Sequence, residues 1–212
     1  MNQNTRLAII GGTGKSGKYL VKQLLRQGFR LRLLIRNPQD FQLKNHLIEI
    51  IRGDARRYES VKHLMDGCQA VISMLGQPKG EPSIFSQASK NVIRAMNHFG
   101  IDRYIVTTGL NVDAPSDKKS IKTKLATDWM RVNFPETTAD KQVEFNVLSS
   151  SNVSWTMVRL PLIEQTDERS RILVSLENCP GEKVNSTDLA SFVIEQISDT
   201  KYVRKAPFIA SV

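Results

Sequence analysis

With 212 residues, 40% hydrophobic and 24% charged, the chain can bury a core without staples, and its composition excludes a disordered or fibrous protein. Two cysteines, Cys68 and Cys179, are too few for a disulfide framework and are expected to be reduced, apolar side chains. The net charge of +9 comes from bases dispersed along the chain, with no RNA-binding signature, so a solvated basic surface is expected and no nucleic acid partner.

No stretch approaches the ~20 apolar residues of a membrane span. The N-terminal apolar run stops at Ile10 before a glycine turn, unlike a signal peptide. A cytoplasmic protein with no membrane partner is expected. Length predicts a single domain over 1–212, with a small substrate-side region within about 160–212.

Short apolar strands alternate with amphipathic helices. Arg6 to Ile10 reads as the first strand and Lys15 to Arg26 as a helix, with Tyr19, Leu20, Leu24 and Leu25 at helical spacing and Gly28 as its stop. Leu31 to Ile35 is the second strand, and a short helix after Pro38 leads to the third, Leu47 to Ile51. Glu59 to Met65 is helical, Ala70 to Leu75 is the fourth strand, and Glu81 to Phe99 is a long helix with Pro82 in its first turn. Tyr104 to Thr108 is the fifth strand. Asn111 to Lys124 is polar and lysine-rich, a loop or a loosely held helix start. Thr138 to Ser149 is helical, Val153 to Val158 is the sixth strand, and Ile172 to Leu176 a small extra one. A helix from Ser186 to Ile197 and a strand from Pro207 to Ala210 close the chain. This succession implies right-handed crossovers, hence an α/β fold with a doubly wound parallel sheet in three layers.

The chemistry begins at Gly11-Gly12-Thr13-Gly14-Lys15-Ser16-Gly17, between the first strand and the first helix. Gly11 permits the tight turn, Gly14 lets backbone approach a pyrophosphate, and Gly17 lets the helix pack closely on the strand. Lys15 and Ser16 add a charge and a hydroxyl at the helix N-terminus. A triphosphate P-loop would need a glycine at position 9, where Ile9 stands. The pattern is that of a dinucleotide-binding Rossmann fold. Where NAD-selective folds carry an acid, this chain has Arg36, with Arg32 on the same strand; a guanidinium suits a 2′-phosphate, so NADP(H) is the expected cofactor. Asp54, in Gly53-Asp54-Ala55, is placed either to meet the adenine or to make the turn.

With these residues in view, the chain resembles the atypical short-chain dehydrogenase/reductase superfamily, and within it the NmrA-like proteins and the flavin and biliverdin-IXβ reductases. The resemblance rests on GGTGKSG, LLIRNP, IRGDARRYESVKHLMDGCQAVISMLG, IVTTG, SNVSWTMVRLP and NSTDLASFVIEQI. It implies that Thr13, Gly14, Lys15 and Ser16 bind phosphate, that Arg36 binds the 2′-phosphate, and that Asp54 and Ala55 line the adenine pocket. Leu75, Gly76 and Gln77 would pass under the cofactor, Thr107 and Thr108 would end the fifth strand beside it, and Leu160, Pro161 and Leu162 would flank the nicotinamide. Superfamily enzymes typically use a Tyr-x-x-x-Lys pair; the matching positions are Thr137 and Lys141. A threonine hydroxyl is too weak an acid to replace the tyrosine. Leu162 stands where some biliverdin reductases carry histidine.

Lys141 and Thr108 are the candidate catalytic residues, as ribose binder and acceptor-orienting hydroxyl. No metal spacing exists among the two cysteines and the histidines His46, His63 and His98. The leading expectation is an NADP(H)-dependent reductase of a small planar acceptor such as a flavin or quinone, whose proton water delivers. The alternative is a non-catalytic NADP(H)-binding sensor of NmrA-like type with a protein partner, for which the basic stretch Asp117 to Lys124 is a candidate surface.

Overall fold

In the computed structural model, which describes residues 5–212, strands and helices alternate through the first half of the chain. They are β1 (Arg6–Ile10), α1 (Gly17–Arg26), β2 (Arg30–Ile35), β3 (Ile48–Arg52), α2 (Tyr58–Met65), β4 (Ala70–Ser73), α3 (Phe85–Phe99) and β5 (Arg103–Gly109), with a 3-10 turn over Pro38–Asp40. The second half adds α4 (Ile121–Asn133), α5 (Pro135–Ser149), β6 (Ser154–Leu160), β7 (Leu162–Glu164), β8 (Ile172–Ser175), β9 (Lys183–Asn185), α6 (Ser186–Glu195) and β10 (Phe208–Ser211). The expected domain start at residue 1 lies outside the described residues.

The main sheet has the order β3-β2-β1-β4-β5-β6-β10-β8. All neighbours are parallel except β10 and β8, so the expected parallel sheet carries one antiparallel edge strand. Successive side chains of a strand point to opposite faces, and both faces are apolar. Ala8, Ile10, Val71 and Val106 face a core shared with α2, α3 and α5. Leu7, Ile9, Ile72 and Ile105 face the other, shared with α1 and α6. This is the three-layer, doubly wound Rossmann architecture. Strand order reverses between β1 and β4, which opens a crevice at their carboxyl ends.

Three segments depart from expectation. The long helix α3 starts at Phe85, so Pro82 lies in the loop before it. The reason is tertiary: the Asp140 carboxylate of α5 accepts from the Phe85 and Ser86 backbone N–H groups (2.8 and 3.3 Å) and from Ser83 Oγ (2.7 Å), which fixes the helix start. The helix α4 starts at Ile121, inside the polar segment read as a loop or a loosely held helix start, and extends well past it to Asn133. Its cap is Ser120, whose hydroxyl accepts from Thr123 N–H. Finally, β7 and β9 form a separate two-stranded ribbon, too short to leave a period in the sequence.

The loop between β5 and α4 is held from below by a buried charge. Arg159 of β6 has no exposure, and its guanidinium donates to both Asp117 carboxylate oxygens (2.6 and 2.8 Å) and to the carbonyls of Val112 and Ala206. It also stacks 3.5 Å from the Phe208 ring. Lys119, also buried, pairs with Asp113 at 2.7 Å and lies 3.7 Å from Asp117.

Candidate functional site

The glycine turn at the end of β1 has the backbone that its sequence demands. Gly11 sits at φ 76°, and a Cβ there would stand 2.5 Å from the Met74 carbonyl oxygen. At Gly17 a Cβ would collide with the Gly11 carbonyl, so α1 packs against the turn only because that position is bare. Ser16 does not cap α1 with its side chain, and the first turn carries no acid. The positive end of the helix dipole is therefore left for an anion.

A groove of about 710 Å³ runs from this turn across the carboxyl ends of β1, β2 and β4. Gly11, Thr13, Gly14, Arg36, Asp54, Ala55, Leu75, Gly76 and Gln77 line it, which brings nine of the expected cofactor residues together. Lys15 and Ser16 stand on the same turn but do not line the groove, nor does Gly17, which is buried beneath. Phe41 and Leu43, in the segment after the 3-10 turn, also border it, as do Met74 and Ile84. Those four were not anticipated, because nothing in their local pattern separates them from ordinary core or loop residues.

The charges on the lip are arranged differently from expectation. Arg36 Nη1 donates to Glu81 Oε1 at 2.7 Å, and Arg56 Nη1 donates to Glu81 Oε2 at 3.0 Å. The Arg36 hydrogen bond, more than any other influence, holds the Glu81 carboxyl below the usual range. Asp54 turns back to accept from Arg56 N–H at 2.8 Å, so it makes the turn while its residue lines the groove. Arg32 does not join Arg36. It is buried, and its guanidinium donates to the Asp66 carbonyl (2.5 Å) and to Glu49 (2.9 Å). Arg36 lies one residue past the end of β2, where strand alternation no longer governs direction.

None of the residues expected on the nicotinamide side lines this groove. Thr107 is buried, with its hydroxyl 3.5 Å from the Ser73 carbonyl. The Thr108 hydroxyl is buried with no hydrogen-bond partner among the described residues. Leu160 and Pro161 are buried, whereas Leu162 is 75% exposed on β7. Lys141 Nζ lies 4.4 Å from the centroid of the Phe85 ring, and burial lowers its pKa against the pull of Glu144 and Asp140.

Beneath Lys141, Glu144 is buried with Ser89 and Tyr104. Ser89 Oγ donates to Glu144 Oε1 at 2.7 Å and lies 3.0 Å from the Tyr104 hydroxyl. Burial pushes the Glu144 carboxyl up to about 7 from 4.5, with the Ser89 bond and Lys141 opposing. A raised carboxyl stabilises the fold fully below the unfolded value of 4.5, and that contribution is lost as pH rises through about 7. Glu144→Gln keeps the shape without titrating. Between about pH 5 and pH 8 it should remove roughly 2 kcal/mol of pH-dependent stability loss, about 4–8 °C in Tm. Thermal unfolding at the two pH values checks this; identical pH slopes for the two proteins would contradict it.

The basic stretch Asp117 to Lys124 runs into the first turn of α4, and three of its lysines have acidic partners. Lys118 pairs with Glu177 at 2.7 Å, Lys119 is buried on Asp113, and Lys122 pairs with Glu182. Among its charged residues α4 also exposes an apolar row: Ile121, Leu125, Trp129 and Val132 are 80, 65, 57 and 79% exposed at helical spacing. Its buried residues are only Thr123 and Thr127.

Among the described residues there is no group of side chains fit to hold a metal ion, and no helix is long and apolar enough to cross a membrane. The family model described as NAD(P)H-binding matches residues 11–200. A photosystem II assembly factor of Trieres chinensis is 28% identical over 92% of this chain, which spans 61% of that protein's length. An isoflavone reductase homologue of Nicotiana tabacum is 23% identical over 97% of this chain and 68% of its own length. Among solved structures, a short-chain dehydrogenase/reductase of Veillonella parvula in complex with NADP superposes with a TM-score of 0.80 at 15% identity, covering 98% of this chain and 94% of that one.

Proposed function

This chain belongs to the NAD(P)H-binding family, within the short-chain dehydrogenase/reductase and NmrA-like superfamily, and we propose that it is a regulatory protein that holds NADP(H) without turning it over. The cofactor enters as the adenine dinucleotide that the groove residues fit: bare glycine backbone and a free helix terminus for the pyrophosphate, and Arg36 for the 2′-phosphate. When bound, it brings hydride chemistry of its own. The observation that carries the reading is the state of the proton-donating pair. Thr137 stands at the tyrosine position, and Lys141 directs its ammonium onto the Phe85 ring, away from any groove-lining role. A carbonyl acceptor would find no group able to protonate a developing alkoxide.

The apolar stripe of α4 supports the same reading. An exposed row of Ile121, Leu125, Trp129 and Val132 is a surface that water leaves unsatisfied and a protein partner would cover. The assembly-factor relative is named for work on a protein complex, which favours a protein as the occupant. In this reading the chain acts as one nucleotide-binding domain, with a small acceptor-side region within about 160–212. The unbridged thiols of Cys68 and Cys179 support a reducing, cytoplasmic setting.

A second reading, a reductase of a planar flavin or quinone, is favoured by the buried, unpartnered Thr108 hydroxyl at the carboxyl end of β5, which an acceptor would satisfy. The test is NADPH oxidation with flavin, quinone and carbonyl acceptors, beside calorimetric NADPH binding. Binding without oxidation is expected; acceptor-dependent oxidation would replace the regulatory reading with the reductase.

A further inference from the structure

Two guanidiniums at the lip of the groove converge on one carboxylate. Glu81 offers one oxygen to Arg36 at 2.7 Å and the other to Arg56 at 3.0 Å. The arrangement is built from both sides. Arg56 is aimed by its own backbone N–H bond to Asp54, and its second guanidinium nitrogen holds the Pro82 carbonyl at 2.8 Å. On the opposite side, the Gln77 amide donates to the Glu81 carbonyl at 2.8 Å and to the Pro78 carbonyl at 3.1 Å, and Gly80 at φ 73° turns the chain between them. The loop from Gln77 to Pro82 is thereby folded back so that its single acid reaches the arginines.

We propose that Glu81 is a built-in stand-in for the 2′-phosphate of NADP(H), and that Arg56 joins Arg36 as the second arginine that receives that phosphate. Arg36 is expected to bind this group; Arg56 and the displaced acid are additional. A carboxylate and a phosphate present the same fork of oxygens to a guanidinium, but the phosphate carries more charge and a third oxygen. The three side chains keep 48, 26 and 38% exposure for Arg36, Arg56 and Glu81. Exposed pairs of this kind are weak, so a dianionic phosphate displaces the carboxylate readily. A dinucleotide without the phosphate has nothing to exchange for Glu81 and leaves the latch closed. The acid thus holds both arginines in place when the phosphate is absent and competes with the phosphate when it arrives, which moderates how tightly NADP(H) is held.

The proposal rests on the NADP(H) binding of the preceding section and not on the absence of turnover. Acceptor-dependent NADPH oxidation would therefore overturn the regulatory reading and leave the latch intact. The probes are 2′,5′-ADP and 5′-ADP, which differ only in the phosphate at issue, titrated calorimetrically into wild type, Glu81→Gln, Arg56→Met and the double variant. Glu81→Gln is expected to tighten 2′,5′-ADP by about threefold to tenfold and to leave 5′-ADP within about twofold. Arg56→Met is expected to weaken 2′,5′-ADP by roughly tenfold, again sparing 5′-ADP. In the Arg56→Met background the gain from Glu81→Gln should shrink without vanishing, because Glu81 then competes for Arg36 alone. All three side chains are at the surface, so an unchanged Tm verifies that the variants fold. Equal tightening of both probes by Glu81→Gln would reveal general charge relief and overturn the latch. So would a gain that persists in full without Arg56. Failure of every variant to bind either probe would overturn the latch together with the NADP(H) reading.

Discussion

Arg36→Ala is expected to lower NADPH affinity by about 10- to 50-fold while NADH affinity stays within about twofold. A hydrogen bond to a charged group contributes about 1.5–3 kcal/mol, and the half-exposed position of Arg36 places the effect toward the lower part of that range. In the proposed reading the loss falls on NADPH alone, because Arg36 stands one residue past the end of β2 and not on the glycine turn proposed to receive the pyrophosphate. Arg56 limits the damage, since it remains to receive part of the phosphate charge. Calorimetric titration of both nucleotides into wild type and variant checks the prediction. Equal losses for NADPH and NADH would mean that Arg36 supports the groove as a whole and does not read the phosphate.

The largest effect on stability is expected from Asp117→Ala. Arg159 is wholly buried, and burial acts to lower its pKa, opposed mainly by the hydrogen bonds and charge of Asp117. Removing one partner of a buried pair leaves the other charge uncompensated, which costs about 3–5 kcal/mol. For a chain of this size that is roughly 6–20 °C in Tm. Lys119 adds to the cost, because its ammonium also loses a carboxylate 3.7 Å away. Replacing both partners, Arg159→Met with Asp117→Leu, should recover much of the loss, since the guanidinium leaves with its partner and Lys119 keeps Asp113. Thermal unfolding of the three variants decides the matter. An Asp117→Ala protein that melts within about 2 °C of wild type would mean that water already reaches this pair and screens it.

Much of the groove at the glycine turn was legible in the sequence because its demands are local. A turn that needs bare backbone at Gly11 and Gly17 writes itself as spaced glycines. An arginine just past the second strand is placed by chain geometry alone. The two-faced apolar strands, Leu7 and Ile9 against Ala8 and Ile10, announce a sheet covered on both sides. What was not legible depends on how distant segments meet. Glu81 reads as an early helix residue until Asp140, far along the chain, fixes the start of α3 at Phe85 and frees the preceding loop to fold back. Arg56 gave a faint signal as the first of two arginines after Gly53-Asp54-Ala55, but its partner lies 25 residues away. The full length of helix α4 was not legible for a different reason. Its apolar residues face solvent, so no contrast between buried and exposed positions marks the segment as part of the core. Lys141 falls on the expected helix, yet only the packing of α5 against α3 turns its ammonium onto Phe85.

In the proposed reading this chain holds NADP(H) without oxidising it. The most direct measurement is a single-turnover experiment with protein and NADPH in equal amounts and an excess of quinone or flavin. The reduced nicotinamide absorbance is followed while a parallel calorimetric titration confirms that the site is filled. The prediction is a saturable heat of binding with an absorbance that stays constant over many minutes. An acceptor-dependent decay that consumes the bound NADPH stoichiometrically would contradict it and make the chain a reductase.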